Sequence, residues 1–66
     1  MQIIVNGKEE QLIDELTLKN LLDLLKASSP WSAVAINGSF VPRHQYASTW
    51  IKADDRIEIL QPAQGG

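Results

Sequence analysis

Thr17-Leu18-Lys19-Asn20-Leu21-Leu22-Asp23-Leu24-Leu25-Lys26-Ala27 is the only long stretch of this chain with a helical period. Leu18, Leu21, Leu22 and Leu25 recur at spacings of three, four and seven, which lines one face of a helix; Leu24 falls beside that stripe. Thr17 is placed to act as N-cap, its hydroxyl accepting from an early backbone N–H. Leu16 and Leu21 stand where a hydrophobic staple needs them. The helix is expected to end near Ala27, with Ser28-Ser29-Pro30 stopping it, because proline cannot continue the ladder. One such helix fixes how much sheet can be covered, and the flanking sequence must supply that sheet.

On the N-terminal side Met1, Ile3 and Val5 alternate with Gln2 and Ile4, a strand period that ends at Asn6-Gly7. Asn-Gly tolerates positive φ at both positions and is a strong hairpin signal. The return strand is expected over Lys8 to Ile13, with Leu12 as its core contact. On the C-terminal side Val34 and Ile36 start a strand that meets a second Asn-Gly at Asn37-Gly38. Phe40 and Val41 return from it, and Pro42 ends the pairing by removing a donor. Residues 43–49 read as a loop or short helical turn carrying Tyr46, and Trp50-Ile51 as a brief strand. Asp54-Asp55 reads as a solvated turn. Arg56-Ile57-Glu58-Ile59-Leu60 alternates strictly, with Ile57 and Ile59 facing in and Arg56, Glu58 and Leu60 facing out. Gln61–Gly66 has no periodicity and reads as a flexible tail.

Hairpin, helix, hairpin and last strand make an α+β chain of the β-grasp (ubiquitin-like) kind. Four to five strands form a mixed sheet, with the last strand inserted beside the first and one helix packed across them. A ferredoxin-like split βαβ arrangement would need a second long amphipathic helix, and the sequence has none. Sixty-six residues make one domain, with a globule over about 1–60 and a tail over 61–66. A chain near this size buries only about 60% of its unfolded surface. It has no cysteine, hence no disulfide, and its single histidine, His44, cannot form a metal cluster alone. The 44% hydrophobic content must build the core.

No apolar run exceeds the four residues Ala33–Ile36, which excludes a membrane-spanning helix. Lys8, Glu9 and Glu10 interrupt the N-terminal segment before a signal peptide could form. The chain is therefore expected to be soluble and cytoplasmic. Six Lys/Arg against eight Asp/Glu give a formal charge of −2 with the cations scattered, which argues against nucleic acid as a partner.

The sequence ends in Gly65-Gly66, whose carboxylate has no side chain beside it to obstruct a narrow active site. Two terminal glycines arise by chance in roughly one chain in 200 at average composition, so the pair gains meaning only from what precedes it. Val34-Ala35-Ile36-Asn37-Gly38-Ser39-Phe40-Val41-Pro42-Arg43, with Tyr46 a few residues on, resembles the central signature of the ThiS family, the sulfur carriers of thiamine biosynthesis. The likeness continues through Asp55-Arg56-Ile57-Glu58-Ile59 and ends in the diglycine, covering essentially the whole chain. Three departures stand out. Asp54 replaces a glycine of the family pattern and should strain the turn slightly. Asn20 replaces a glutamate that would complete a capping box. The stretch Gln61-Pro62-Ala63-Gln64 is more polar than usual.

The resemblance implies a protein that is not itself an enzyme and binds no cofactor or metal. An E1-like (ThiF-like) adenylating enzyme would use ATP to adenylate the carboxylate of Gly66. A sulfur donor such as a cysteine desulfurase persulfide would convert it to a thiocarboxylate, and a thiazole synthase (ThiG-like) would take the sulfur. Gly65 would ease threading into the adenylating site, and Pro62 would bias the tail towards an extended form. Trp31 and Trp50 read as packing at the rim of a small domain, while Leu60, Trp50 and Arg43 are the candidate partner contacts. Arg43 and His44 could together bind an anion, but a solvated loop is the better reading of the pair. Three rival functions are consistent with the fold: a molybdopterin-synthase small-subunit carrier, a ubiquitin-like modifier of lysines, and a TGS-like regulatory or RNA-binding module. The last would leave the diglycine without a task.

Overall fold

The two Asn-Gly turns organise the sheet from opposite ends. In the computed structural model, which describes residues 1–61, Asn6 and Gly7 have φ of 50° and 82°, and Asn37 and Gly38 have 52° and 88°. Positive φ at both central residues matches the right-handed twist of the strands that each turn joins. The first turn connects β1 (Gln2–Val5) to β2 (Lys8–Gln11), and the second connects β3 (Ala33–Ile36) to β4 (Ser39–Val41). The helix α1 (Leu18–Leu24) lies between the hairpins in sequence. A 3-10 helix (Arg43–Ser48) and β5 (Arg56–Leu60) complete the described chain. The sheet order is β2-β1-β5-β3-β4, with β5 parallel to β1 and antiparallel to β3. This is the mixed five-stranded β-grasp arrangement expected from the sequence, with the last strand in the centre.

Alternation decides which residues form the core. Ile3, Val5, Val34, Ile57 and Ile59 point from the sheet to the helix, where they meet Leu18, Leu21 and Leu22. Leu12, Ala27, Tyr46 and Ile51 close the rim of the same cluster. The opposite face carries Arg56, Glu58, Leu60 and, through its pairing with Ala35, Phe40.

Four local expectations change. Strand β2 stops at Gln11 instead of Ile13. The Leu12 amide still donates to the Met1 carbonyl (2.8 Å), which holds Leu12 on the core side, but Ile13 leaves the sheet and is 96% exposed. The helix stops at Leu24, before Pro30 can act. Lys26 turns left-handed (φ 57°), the Ala27 amide donates to the Leu22 carbonyl (2.8 Å) and the Lys26 amide to that of Asp23 (3.2 Å). This is a Schellman closure with lysine in the place usually taken by glycine. Trp50 makes only an isolated bridge to Thr17, with the Ile51 amide donating to Leu16 (2.9 Å), so residues 50–51 are not a strand.

The fourth correction concerns Asp54-Asp55. Asp54 is exposed and left-handed (φ 67°), as the missing glycine implied. Asp55 is buried, and its carboxylate accepts from the Lys52 amide (2.8 Å) and from Asn37 Nδ2 (3.0 Å). It is a structural cap, because a turn buried against β3 must satisfy its own amides. At the helix start Thr17 Oγ1 accepts from the Asn20 amide (3.2 Å) and donates to Asn20 Oδ1 (2.8 Å). Asparagine is too short to restore the capping-box bond to the backbone, and it binds the hydroxyl in its place.

Candidate functional site

The end of the sheet from which the chain leaves β5 is built by strand direction. Because β5 is parallel to β1, the exit lies beside the Asn6-Gly7 turn. Because β3 runs antiparallel, Leu60 pairs with Ala33, and the loop before Ala33 flanks the exit. Strand β4 returns to the same end, bringing Pro42, Arg43 and His44 with it. The collar around Gln61 thus comprises the first hairpin turn, the 28–32 loop and the start of the 3-10 helix.

Two polar side chains fix that collar. Asn6 Oδ1 accepts from the Ile59 amide (2.8 Å), which holds β5 in place one residue before its last. Arg43 donates to the carbonyls of Ser29 (3.2 Å), Pro30 and Ser32 (3.1 Å), and its guanidinium lies 5.9 Å from the centre of the Tyr46 ring. A planar five-donor fork suits three carbonyls converging from one loop. The Trp31 amide donates to Ser29 Oγ (3.1 Å) and the Ser32 hydroxyl to the Ala27 carbonyl (3.3 Å), so the loop is tied at both ends.

The residues singled out from the sequence fall into three groups. Leu60 lies at the exit, on the open face of the sheet, and is 60% exposed. Arg43 is at the same end, with its donors engaged by the 28–32 loop. Trp50 is 57% exposed but sits beside the helix N-terminus, paired to Thr17. That position is close to the Asp55 turn that precedes β5 and hence at the other end of the strand. The structure therefore places Leu60 and Arg43 at one end of the sheet and Trp50 at the other. Pro62, Gly65 and Gly66 lie outside the described residues. The sequence reading assigned Trp31 to rim packing, yet it is 77% exposed at the exit. Its placement could have been read from the β-grasp topology, since the residues before the third strand must flank the end of the last one.

Among the described residues no helix is long and apolar enough to cross a membrane. The model of the ThiS family matches residues 3–66. The sulfur carrier protein ThiS of Escherichia coli is 35% identical over 66 residues, covering all of both chains. A thiazole synthase of Paramagnetospirillum magneticum is 32% identical to the whole of this chain, which spans 20% of that protein. The crystal structure of the thiamine biosynthesis protein ThiS from Geobacter metallireducens superposes with a TM-score of 0.85 at 30% identity, covering both chains completely. A β-grasp sheet with β5 at its centre, matched in sequence and in structure along its whole length, makes this chain a member of the ThiS family.

Proposed function

We infer that the chain is a sulfur carrier protein of thiamine biosynthesis whose reactive group is the carboxylate of Gly66. The observation that carries this reading is the match to the Escherichia coli carrier over the full length of both chains. The reading needs no catalytic side chain on the globule, only an unobstructed carboxylate presented at a fixed distance.

An α-carboxyl titrates near pH 3.5, so the terminus is anionic at neutral pH. In the site of an E1-like adenylating enzyme one of its oxygens attacks the α-phosphorus of ATP. Pyrophosphate leaves, and a glycyl-adenylate forms. The terminal sulfur of a persulfide then attacks the carbonyl carbon and expels AMP, giving an acyl disulfide. A second thiol cleaves the S–S bond, leaving the thiocarboxylate on Gly66 and a disulfide on the donor. The thiocarboxylate anion is a soft nucleophile that can pass its sulfur to a growing thiazole ring.

A thiazole synthase is the acceptor in this reading. Its support is the relative of that name, which holds a segment similar to this whole chain within its own length. The carrier acts as a substrate of its partners, with ATP used by the adenylating enzyme and no cofactor held by the carrier itself. Cytoplasmic residence follows from the location of ATP and of persulfide donors.

Incubation with the E1-like enzyme of the same organism, ATP and a persulfide source tests the reading. Intact mass should rise by the difference between sulfur and oxygen, and fragmentation should place the gain on Gly66. An isopeptide bond to lysine would instead identify a modifier. An unchanged carboxylate with every E1-like enzyme of that organism would remove the carrier reading altogether.

A further inference from the structure

Trp31 exposes 77% of its surface on a loop that is otherwise held down at every turn. Its own amide is bonded to Ser29 Oγ, the Ser32 hydroxyl and amide are bonded to Ala27 and Ser29, and Arg43 ties three carbonyls of the loop to the 3-10 helix. A large aromatic held in water by a fixed backbone has lost part of its binding entropy in advance. Tryptophan is also among the residue types that most often dominate interfaces.

Its position identifies what covers it. Trp31 stands two residues before Ala33, the partner of Leu60, so it flanks the point where the chain leaves the sheet. Five residues separate Gln61 from the carboxylate of Gly66. Fully extended they span at most about 17 Å. An enzyme that encloses ATP and that carboxylate away from water must fit its channel walls within this length. The rim of the channel is then pressed against the collar around Gln61. A longer tail would let the globule stand off; this one does not.

We propose that Trp31 is the docking anchor by which the adenylating enzyme seats this carrier, and that Arg43 is the positioning residue that holds Trp31 in place. Leu60, exposed beside Ala33 on the open sheet face, extends the apolar contact along the tail root. The proposal rests on the carrier reading above and adds to it the surface that selects the enzyme. Arg43 acts through the loop, whose carbonyls engage its guanidinium.

The test is ATP–pyrophosphate exchange by the E1-like enzyme of the same organism, with the carrier titrated. Trp31→Ala should raise the KM for the carrier roughly tenfold or more, the range expected for loss of an interface anchor, and leave kcat and the melting curve near wild type. Trp31→Phe should recover most of the loss. Arg43→Ala should raise KM in the wild-type background and add little in the Trp31→Ala background, because its effect passes through Trp31. An independent readout is the emission of Trp31 in a Trp50→Phe protein, which should shift to shorter wavelength when the enzyme is added. The same shift should occur with a carrier lacking Gly65-Gly66, since docking precedes chemistry. A wild-type KM for Trp31→Ala overturns the proposal and leaves the carrier reading intact. So does a shift that depends on carrier concentration alone, which would show that a second copy covers Trp31. If the wild-type protein supports no exchange with any such enzyme, the carrier reading falls and the anchor with it.

Discussion

The side chain of Asn6 accepts a hydrogen bond at 2.8 Å from the amide of Ile59, 53 residues further along the chain. Asn37 does the same at the other end of that strand, where its Oδ1 accepts from the Arg56 amide (2.9 Å). Each Asn-Gly turn therefore has two tasks. It reverses its own hairpin with a positive φ, and it binds the central strand that arrives last. Asparagine is suited to both, being tolerant of the left-handed region and carrying an acceptor on a short side chain.

Replacing Asn6 separates these tasks. Asn6→Gly keeps the turn geometry but leaves the half-buried Ile59 amide without its acceptor, at a cost of about 1–2 kcal/mol. Asn6→Ala adds the penalty of a left-handed alanine, about 1 kcal/mol more. Urea denaturation of the two variants should show that ranking. Equal stability of Asn6→Gly and wild type would mean that water replaces the bond at no cost.

The helix end gives a prediction of the opposite sign. Lys26 holds φ 57° inside a closure that commonly uses glycine. Lys26→Gly should stabilise the fold by about 0.5–1 kcal/mol, the relief of left-handed strain offset in part by the greater freedom of glycine in the unfolded chain. Asp54→Gly should behave alike, since Asp54 has φ 67° and an exposed side chain. A fall in melting temperature for Lys26→Gly would show that the lysine side chain contributes more than its backbone costs.

These positions also mark where the sequence could be read and where it could not. The succession of strands and helix, the buried faces of β1 and β5 and the placement of Leu21 followed from periods of two and of 3.6, which depend on burial and survive context. The left-handed stop at Lys26 had no such signal, because lysine does not advertise positive φ and Pro30 offered a more obvious terminator. Asp55 was hidden for a related reason. Its burial depends on Asn37, 18 residues away, and two adjacent aspartates otherwise read as solvated. At the candidate site Leu60 was legible from strand alternation. The task of Arg43 was not, since it depends on three carbonyls that only the folded loop brings together. Trp31 reads from the sequence as rim packing because an isolated tryptophan in a loop has no period, and only the pairing of Ala33 with Leu60 gives it a location.

The two faces of β5 and its helix partner can be tested as a pair. Leu21 is 1% exposed in the core, so Leu21→Ala should cost about 2–5 kcal/mol, much of what so small a domain has. Leu60 faces outward, and Leu60→Ala should change stability by less than about 1 kcal/mol. Its effect should appear as a raised KM in ATP–pyrophosphate exchange. Comparable destabilisation by both substitutions would contradict the assignment of the open face.

The last prediction concerns the diglycine. Among the described residues the core is complete by Ile59, and every strand pairing ends by Leu60. Deleting Gly65-Gly66 should therefore leave the melting curve almost unchanged while abolishing exchange, because the nucleophilic carboxylate would fall short of ATP by two residues, about 7 Å. Gly66→Ala is the finer test. It keeps the reach and the carboxylate but places a methyl group beside the carbon that phosphate and sulfur must both approach. Exchange should slow mainly through kcat, since docking at the collar is untouched, and thiocarboxylate formation should slow at least as much. A Gly66→Ala protein whose KM rose while kcat held would show that the terminal residue acts in recognition, and the steric account of the diglycine would have to be given up.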